Sequence, residues 1–355
     1  MGDHSIKLPT FSVVMANYNH ATYLPNRLQS ILDQSYQPME IIIVDDASTD
    51  NSVEIIEGFA RKHPLIKLVR HKENLGVAKT EVHAMQYAKG DFLIAAASDD
   101  IFFPGLFEKS AKLLVQYPNA GICTAISLTI DEHNNILGAM PMAPYISNSP
   151  CYLSPEKVLK CITKTDNWEW SGNTTFFRRE AIPEIKDHHT DENTFPLLCL
   201  NFGACFIPEV LGAFRVLPNN FSAGRRKDPN VFQTDMEGYA KSMETKYPGK
   251  FPPQYIEAFK KSIRYEAANL SVNVLSSTQS DCISQCRKSL YNDSFIDKVF
   301  LKIFQFLNKT QKFILKRYLF FRLRNYSWAY FVRIFNRYRN KQDKFNTLPK
   351  DVKLS

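Results

Sequence analysis

Two neighbouring carboxylates, Asp99 and Asp100, stand directly after the most apolar strand-like run of the chain. Residues 92–97 of that run read FLIAAA and hold no polar side chain. Adjacent ionised acids repel each other, and both lose hydration when they leave water, so a chain that keeps them together needs a compensating charge. We therefore expect a cation beside this pair.

The elements that would position these acids follow from the hydrophobic pattern of the first half of the chain. Strand-like apolar runs lie at residues 11–16, 40–46, 65–70, 91–97 and 120–127. Apolar residues at helical spacing follow each of the first four runs, as Leu24, Leu28 and Ile31 follow the first. This alternation predicts an α/β fold with a doubly wound, mainly parallel sheet and helices on both faces.

Three of the predicted strands end in polar residues, which are Asn17 to Asn19, Asp45 with Asp46, and Ser98 to Asp100. Ligands of doubly wound sheets bind at the carboxyl ends of the strands, so we expect these groups to line one crevice. Helix capping is the alternative for the second group and for Asp50 behind it. Capping explains the third group less well, because Pro104 marks the next helix start several residues later.

Four segments of the first half together resemble glycosyltransferase family 2, the inverting enzymes with the GT-A fold. They read VVMANYN, IIIVDDASTDNS, NLGVAK and SDD, within a resemblance that covers roughly residues 9–225. Each segment is weak by itself, and the combination is specific. The resemblance implies sugar transfer from a UDP, dTDP or GDP donor to a hydroxyl of a glycan or lipid-linked acceptor, in bacterial surface polysaccharide biosynthesis.

The resemblance also implies roles for the residues at the strand ends. Ala16 and Tyr18 would bind the donor, with the Tyr18 ring packed near the base that Asp46 reads. Asp99 would face the ribose, and Asp100 would hold Mn²⁺ or Mg²⁺. A hard divalent ion takes carboxylate and phosphate oxygens together, so one protein carboxylate and the substrate phosphates can suffice.

Two further positions belong to the implied donor site. Lys79 in NLGVAK would add a positive charge to the diphosphate, and an exposed surface lysine is the alternative. This segment lacks the arginine-asparagine pair that is commoner in the family. Ser98 stands where many relatives have an aspartate, so the resemblance leaves the metal with fewer carboxylates from the SDD triplet.

The acceptor hydroxyl must lose a proton as it attacks, so a general base is required. Residues 190–216 resemble the acceptor-side stretch of the family, and on that match Asp191 is the base of a direct inverting displacement. Glu192 is one alternative, and an acidic helix N-terminus is another. Upstream, Trp168 or Trp170 could bind the acceptor by stacking on a sugar ring, although core packing explains one of them equally well.

The alternation stops near residue 225, which predicts a catalytic domain at 1–225 and a basic, aromatic-rich helical region at 226–355. Residues 299–344 contain 12 lysines and arginines against the single acid Asp343. A basic amphipathic helix with aromatic residues is typical of binding to an anionic membrane surface. Packing on the catalytic domain, dimerisation and nucleic-acid binding are the alternatives. No nucleic-acid partner is predicted, since no recognition motif accompanies the charge.

Bulk properties restrict the class of protein. The 355 residues carry a net charge of +8 with 44% hydrophobic and 23% charged residues, which is typical of a globular chain. Seven cysteines without a CxxC pair, no apolar leader in MGDHSIKLPT and no membrane-length apolar run together predict a cytoplasmic protein with at most peripheral membrane contact.

Two other functional classes stay open at this point. A catalytically silent sugar-nucleotide-binding module would keep Asp46 and Asp100 without needing Asp191. A metal-dependent nucleotidyltransferase would also use a doubly wound sheet and a carboxylate-bound metal. Its glycine-rich first loop is missing here, because MANYNHATY contains no glycine.

Overall fold

The computed structural model describes residues 8–139, 147–165, 171–180, 191–217 and 228–274, with a few single positions near the end of the chain. The chain divides into two compact units. The first consists of Met1–Val158, Glu169–Val216 and Asn336–Ser355, and the second of Leu159–Trp168 and Leu217–Phe335. The predicted boundary at residue 225 lies outside the described residues and stays a prediction.

The first unit begins with the alternating strands and helices that the sequence pattern predicts. In chain order they are β1 (Phe11–Asn17), α1 (Leu24–Leu32), β2 (Glu40–Asp45), α2 (Ser52–Lys62), β3 (Ile66–Arg70), α3 (Val77–Gln86) and β4 (Phe92–Ala95). Strand β1 pairs in parallel with β2 on one side and β4 on the other, and β2 pairs in parallel with β3. The chain therefore reverses its direction of travel across the sheet beside β1, which is where doubly wound sheets bind ligands.

The second half of the sheet mixes parallel and antiparallel pairs. Its elements are β5 (Ile101–Phe102), α4 (Leu106–Gln116), β6 (Ile122–Ile130), β7 (Ile136–Ala139), β8 (Cys151–Leu153), α5 (Pro155–Thr165), β9 (Phe176–Arg178), α6 (Asp191–Phe202) and β10 (Ala204–Arg215). Strand β9 runs antiparallel to β4 and β6, and β10 runs parallel to β6 but antiparallel to β5. The pairing of β10 with β5 brings the end of β10 to the acidic pair that precedes β5.

Strands β1 and β2 form the centre of the core. Nearly every residue in both strands is buried, as in parallel sheets that helices cover on both faces. Such strands leave no place for polar side chains except at their ends. Near the end of the chain, Leu348 and Val352 pack against an apolar cluster that includes Phe103, Phe206 and Val210.

The second unit is described over two helices, α7 (Pro229–Thr245) and α8 (Pro253–Val274). Asp228 caps α7 by accepting hydrogen bonds from the main-chain N–H groups of Asn230 and Val231. The two helices share an apolar cluster that includes Phe232, Ile263 and Leu270. The described helices include none with both the length and the apolarity needed to cross a membrane. The basic stretch 299–344 lies almost entirely outside the described residues.

Candidate active site

Hydrogen bonds tie together the loops that follow β1 and β2. Asn19 adopts a left-handed backbone with φ of 54°, a conformation that asparagine tolerates better than most residues. Its Oδ1 accepts a hydrogen bond from the Thr49 main-chain N–H at 2.7 Å, and its own N–H donates to Ser48 Oγ at 3.0 Å. Tyr18, between these hydrogen-bonded residues, is 43% exposed, while Ala16 lies half-buried in β1.

Asp45 and Asp50 stabilise these loops through hydrogen bonds. Asp45 accepts hydrogen bonds from Asn17 Nδ2 at 2.8 Å and from the hydroxyl of Ser48 at 2.6 Å. Asp50 accepts one from the N–H of Ser52, the first residue of α2, at 3.0 Å. Asp50 is not the N-cap of α2, which is Asn51; its other oxygen accepts from the Ala21 N–H at 3.0 Å, so Asp50 joins the start of α2 to the loop after β1. Asp45 stabilises the turn that precedes the helix.

Asp46 is buried and holds the loop before α3. Its Oδ1 accepts from the Leu75 N–H at 2.9 Å and lies 2.7 Å from His71 Nδ1, and its Oδ2 accepts from the Gly76 N–H at 2.9 Å. Desolvation by burial raises the pKa of Asp46, but these hydrogen bonds outweigh it and bring the pKa below its ordinary value. Because both oxygens already bind the protein, the carboxylate positions this loop, and base reading stays a prediction.

A hydrogen-bonded chain continues from Asp46 into α3. His71 Nε2 lies 2.8 Å from His83 Nδ1, with the two ring planes 10° apart, and His83 Nε2 lies 3.3 Å from the Tyr87 hydroxyl. With His71 donating to Asp46 from Nδ1, its second nitrogen accepts a hydrogen bond from His83 Nδ1. This chain links the end of β2 to the helix that carries Lys79, whose side chain is exposed in the first turn of α3.

Asp99 and Asp100 are both buried, with relative exposures of 6% and 2%. Asp100 Oδ1 accepts a hydrogen bond from the Arg215 main-chain N–H at 2.9 Å. Asp100 Oδ2 is buried and has no hydrogen-bond partner in the described part of the chain. Desolvation by burial, followed by the charge of Asp99, raises the pKa of Asp100 to about 8. This strong shift marks the pair as a functional candidate.

Arg27 supplies part of the positive charge that the acidic pair requires. It is fully buried on α1, and its guanidinium carbon lies 3.7 Å from the centre of the Phe102 ring. Burial lowers the pKa of Arg27 to about 10, while the charges of Asp100 and Asp99 act in the opposite direction. Arg27 therefore remains charged near neutral pH.

The sequence contains a signal for the burial of Arg27. Leu24, Leu28 and Ile31 predict the buried face of α1, and Arg27 occupies the same face three residues after Leu24. A charged residue at an apolar position of a helix indicates a buried partner of opposite charge.

Arg215, the last residue of β10, contacts the acidic pair directly. Its Nε donates to the main-chain oxygen of Asp99 at 2.9 Å and its Nη1 to that of Asp131 at 2.7 Å. Its guanidinium carbon lies 4.8 Å from the centre of the Tyr23 ring. The cation expected beside Asp99 and Asp100 is thus present in the protein as two arginines.

Ser98 connects the acidic loop to the loop after β1. Its hydroxyl lies 2.6 Å from His20 Nδ1, and the His20 ring packs edge-on against Tyr23 at 6.0 Å. The serine that stands in place of an aspartate therefore has a defined partner. Neither His20 nor this contact was predicted from the sequence, because 78 residues separate the two side chains.

The acidic pair fits a divalent ion that shares its ligands with a substrate. Asp100 Oδ2 is a buried oxygen without a partner, and carboxylate oxygens are the ligands that hard cations prefer. Within the described ranges, no three His, Cys, Asp or Glu side chains form a group that could hold a metal ion. The protein residues alone therefore do not complete a coordination shell, and substrate phosphates would have to supply the remaining oxygens.

The predicted acceptor-side residues are only partly described. Helix α6 begins at Asp191, which agrees with an acid at a helix N-terminus, but the side chains of Asp191 and Glu192 lie outside the described residues. Trp168 and Trp170 also lie outside them. Their roles as general base and acceptor platform stay predictions.

The family model for glycosyl transferase family 2 matches residues 12–185, which includes β1 to β9 and the acidic loops. Residues 12–185 are a glycosyltransferase family 2 domain. The chain is 27% identical over 224 residues to a Bacillus subtilis protein whose name describes a teichuronic acid biosynthesis glycosyltransferase, TuaG, and the match covers 62% of this chain and 84% of that protein. Two other curated relatives match over less than half of their own length.

Solved structures show the same fold. S. aureus TarS 1-349 in complex with UDP-GlcNAc matches with a TM-score of 0.58 and 14% identity, covering 87% of this chain and 90% of TarS 1-349. The mannosyltransferase PcManGT from Pyrobaculum calidifontis, in complex with GDP-Man and Mn²⁺, matches with a TM-score of 0.50 and 16% identity, covering 88% of both chains. The chain thus has the GT-A fold that the sequence resemblance predicted.

Proposed function

We propose that the protein transfers one sugar from a UDP, dTDP or GDP donor to a hydroxyl of a glycan or lipid-linked acceptor, with inversion at the anomeric carbon. The observation that carries this proposal is the origin of Tyr18, Asp46, Asp99 and Asp100 at the carboxyl ends of three neighbouring parallel strands. Relatives named for teichuronic and teichoic acid biosynthesis support a role in a bacterial surface polysaccharide.

The donor would bind across the ends of β1, β2 and β4. The exposed ring of Tyr18 offers an apolar face on which a base can stack, next to Ala16. Asp46 fixes the 75–76 loop and thereby the start of α3, from which the exposed Lys79 would bring its charge to the bound donor. Asp99 would accept hydrogen bonds from the ribose hydroxyls. Structural neighbours solved with UDP-GlcNAc and GDP-Man support a nucleotide-sugar ligand.

Asp100 would hold Mn²⁺ or Mg²⁺ through Oδ2. The N–H of Arg215 occupies Oδ1, which keeps the carboxylate in one orientation and leaves the other oxygen for the ion. A bound divalent ion supplies a Lewis acid that stabilises the charge of the departing diphosphate. The PcManGT complex with Mn²⁺ supports this choice of ion.

Asp191 would act as the general base at the start of α6. As the acceptor oxygen forms its bond to the anomeric carbon, Asp191 takes the hydroxyl proton. The bond from the anomeric carbon to the diphosphate breaks at the same time, and the nucleoside diphosphate leaves with the electron pair. Attack from the face opposite the leaving group inverts the anomeric centre.

The acceptor side of the proposal rests on the sequence. Trp168 or Trp170 would stack on an acceptor sugar, because sugar rings present apolar C–H faces to aromatic rings. The basic region 299–344 would hold the enzyme at the cytoplasmic face of an anionic membrane. A lipid-linked acceptor would be concentrated at that surface.

Sugar transfer tests this proposal when it is measured together with donor binding. After a panel of UDP-, dTDP- and GDP-sugars identifies the donor, we expect Asp191→Asn to lower turnover by about 10²- to 10⁴-fold with donor affinity unchanged, as for loss of a general base. Glu192→Gln is the matched control and should retain turnover. Loss of turnover in Glu192→Gln instead would reassign the base, and a wild-type protein that binds donor without transfer or hydrolysis would be a silent binding module.

A further inference from the structure

A buried amide near the carboxyl end of β4 lacks a hydrogen-bond partner. Asn173 is 5% exposed, and its Nδ2 atom is buried without a partner in the described part of the chain. Asn173 belongs to a short 3₁₀ turn, Gly172–Thr174, that lies just before β9. A buried N–H donor without an acceptor is destabilising, so folded proteins keep few of them and each one needs an explanation.

Poor local packing does not explain the unpaired amide, because the neighbouring polar side chains of the turn are paired. Ser171 Oγ donates to Asn173 Oδ1 at 2.7 Å, which orients the amide. The hydroxyl of Thr174 donates to the Ala125 carbonyl oxygen at 2.8 Å, and the hydroxyl of Thr175 lies 2.7 Å from the Ser171 carbonyl oxygen. The turn is therefore held by several hydrogen bonds, and the NH₂ group of Asn173 is available to a ligand.

Strand pairing places this turn at the same edge of the sheet as the acidic loop. Strand β9 runs antiparallel to β4, with Phe176 opposite Ile94. The residues that precede Phe176 therefore lie beyond the carboxyl end of β4, where the loop of residues 98–100 also begins. Asn173 thus lies at the sheet edge at which the donor would bind.

Gly212 of β10 lets the turn approach the strand that follows the acidic loop. A Cβ at this position would lie 2.7 Å from Thr174 Cγ2, which is too close for two carbon atoms. The same Cβ would lie 3.4 Å from Asn173 Nδ2 and 3.1 Å from the carbonyl oxygen of Ile101. The amide therefore lies near the main chain of Ile101, the residue directly after Asp100.

We propose that Asn173 Nδ2 donates a hydrogen bond to a hydroxyl oxygen of the sugar that is transferred. That sugar is bonded to the diphosphate, so it lies beside the acidic loop when the diphosphate binds there. A hydroxyl oxygen accepts hydrogen bonds from N–H groups and brings no charge that a neutral amide would leave unbalanced. A site that pairs with a substrate hydroxyl discriminates against ligands that lack it.

This inference rests on the proposed function and deepens it. It assigns to Asn173 the distinction between a nucleotide-sugar and the nucleoside diphosphate without the sugar. A purely structural amide would not affect the two ligands differently, so the difference between their affinities is the quantity to measure.

The test compares binding of UDP-GlcNAc, UDP-glucose and GDP-mannose with binding of UDP and GDP, by isothermal titration calorimetry at one Mn²⁺ concentration. We expect Asn173→Ala to weaken binding of the nucleotide-sugar that wild type prefers by about three- to tenfold, the range for one neutral hydrogen bond. Binding of the matching nucleoside diphosphate should be unchanged. Thr175→Val is the matched control, since it removes a buried hydroxyl of the same segment and keeps the amide, and it should change neither affinity.

A selective loss of nucleotide-sugar affinity in Asn173→Ala supports the proposal. An equal loss for both ligands, or no loss for either, overturns it. A higher KM for the acceptor with unchanged nucleotide-sugar affinity also overturns it, because the amide would then bind the acceptor sugar.

Ser171→Ala keeps the proposal testable if Asn173→Ala does not fold. This change removes the hydrogen bond that orients the amide and leaves the NH₂ group in place. A selective loss of nucleotide-sugar affinity of about two- to threefold supports the proposal, and unchanged affinities overturn it. A wild-type protein that binds none of these nucleotides contradicts the proposed function itself, whereas unselective variants of a protein that binds them overturn the role of Asn173 alone.

Discussion

Substitution of Asp46 by asparagine separates a structural role for this carboxylate from a role in base reading alone. Asp46 accepts hydrogen bonds from the N–H groups of Leu75 and Gly76 and contacts His71 Nδ1. Asparagine retains one acceptor oxygen and turns an NH₂ group toward one of these donors. If Asp46 only read the nucleotide base, its replacement would weaken donor binding and leave the stability of the free protein unchanged.

The magnitude follows from the lost contacts. A hydrogen bond to a charged acceptor contributes about 1.5–3 kcal/mol. Loss of the negative charge at the N-terminus of α3 costs a further ~0.3–1 kcal/mol. We therefore expect Asp46→Asn to lower the free energy of unfolding by about 2–4 kcal/mol at neutral pH, measured by urea denaturation.

The pH dependence of the free energy of unfolding provides an independent check on the direction of the Asp46 pKa shift. Because the folded state has the lower pKa, the stabilising effect of Asp46 is fully present above the pKa of the unfolded state. It is lost as the pH falls through the folded-state pKa, so the difference between wild type and Asp46→Asn should shrink below about pH 4. Asp33→Asn, the same change at an exposed position of the first unit, should alter stability by less than ~0.5 kcal/mol.

Two results would refute this reasoning about Asp46. One is a difference below ~0.5 kcal/mol at neutral pH, which is the size expected of a surface substitution. The other is a difference that grows as the pH falls, which would mean that the native state raises the pKa of the carboxyl.

Three further predictions concern the loop chain, a glycine and the basic region. His71→Ala should lower the free energy of unfolding by about 1–2 kcal/mol, since it breaks the chain between Asp46 and α3. Gly203→Ala should destabilise by at least ~2 kcal/mol, because φ is 75° and a Cβ would lie 2.5 Å from the Leu153 carbonyl oxygen. Removal of the residues after Val299 should abolish sedimentation with anionic vesicles.

Each of these predictions has a control and a contradicting outcome. His133→Ala, at an exposed histidine, should leave the free energy of unfolding unchanged. An equal loss of stability in His133→Ala and His71→Ala would contradict a stabilising role for the hydrogen-bonded chain from Asp46 to α3. Gly238→Ala in α7, where a Cβ meets no atom within 4 Å, is the control and should stabilise the protein by up to ~1 kcal/mol. A Gly203→Ala protein as stable as wild type would contradict the prediction, because it would show that the turn accepts a side chain at this position. Unchanged vesicle binding after truncation would refute the membrane role of the tail.

The sequence predicted the first four parallel strands because buried parallel strands read as continuous apolar runs. It did not predict β9, because a strand of only three residues is too short to give a periodic signal. In the sheet, β9 lies between β4 and β6. The pairing of β10 with β5 was equally invisible, because it joins residues more than 100 positions apart. Short strands and distant partners are set by the folded sheet and leave little trace in local pattern.

The residues of the candidate site were likewise predicted only in part. Asp99 and Asp100 stood out because an apolar strand seldom ends on two acids, and the expected cation was found as Arg27 and Arg215. The identity of that cation was not predicted, because a single arginine in a helix is ordinarily a surface residue. The contacts of Asp46 with residues 71, 75 and 76 were missed, since a turn between the strand and the next helix gives no pattern for them.

A crystal structure of the protein with Mn²⁺ and a nucleoside diphosphate tests the central claim most directly. We expect the anomalous signal of Mn²⁺ beside Asp100 Oδ2, with the diphosphate on the same ion and the base against Tyr18. The Asp100→Asn protein treated in the same way should lose the ion. A nucleotide bound away from the ends of β1, β2 and β4, or an ion that ignores Asp100, would contradict the claim that these strand ends form the donor site.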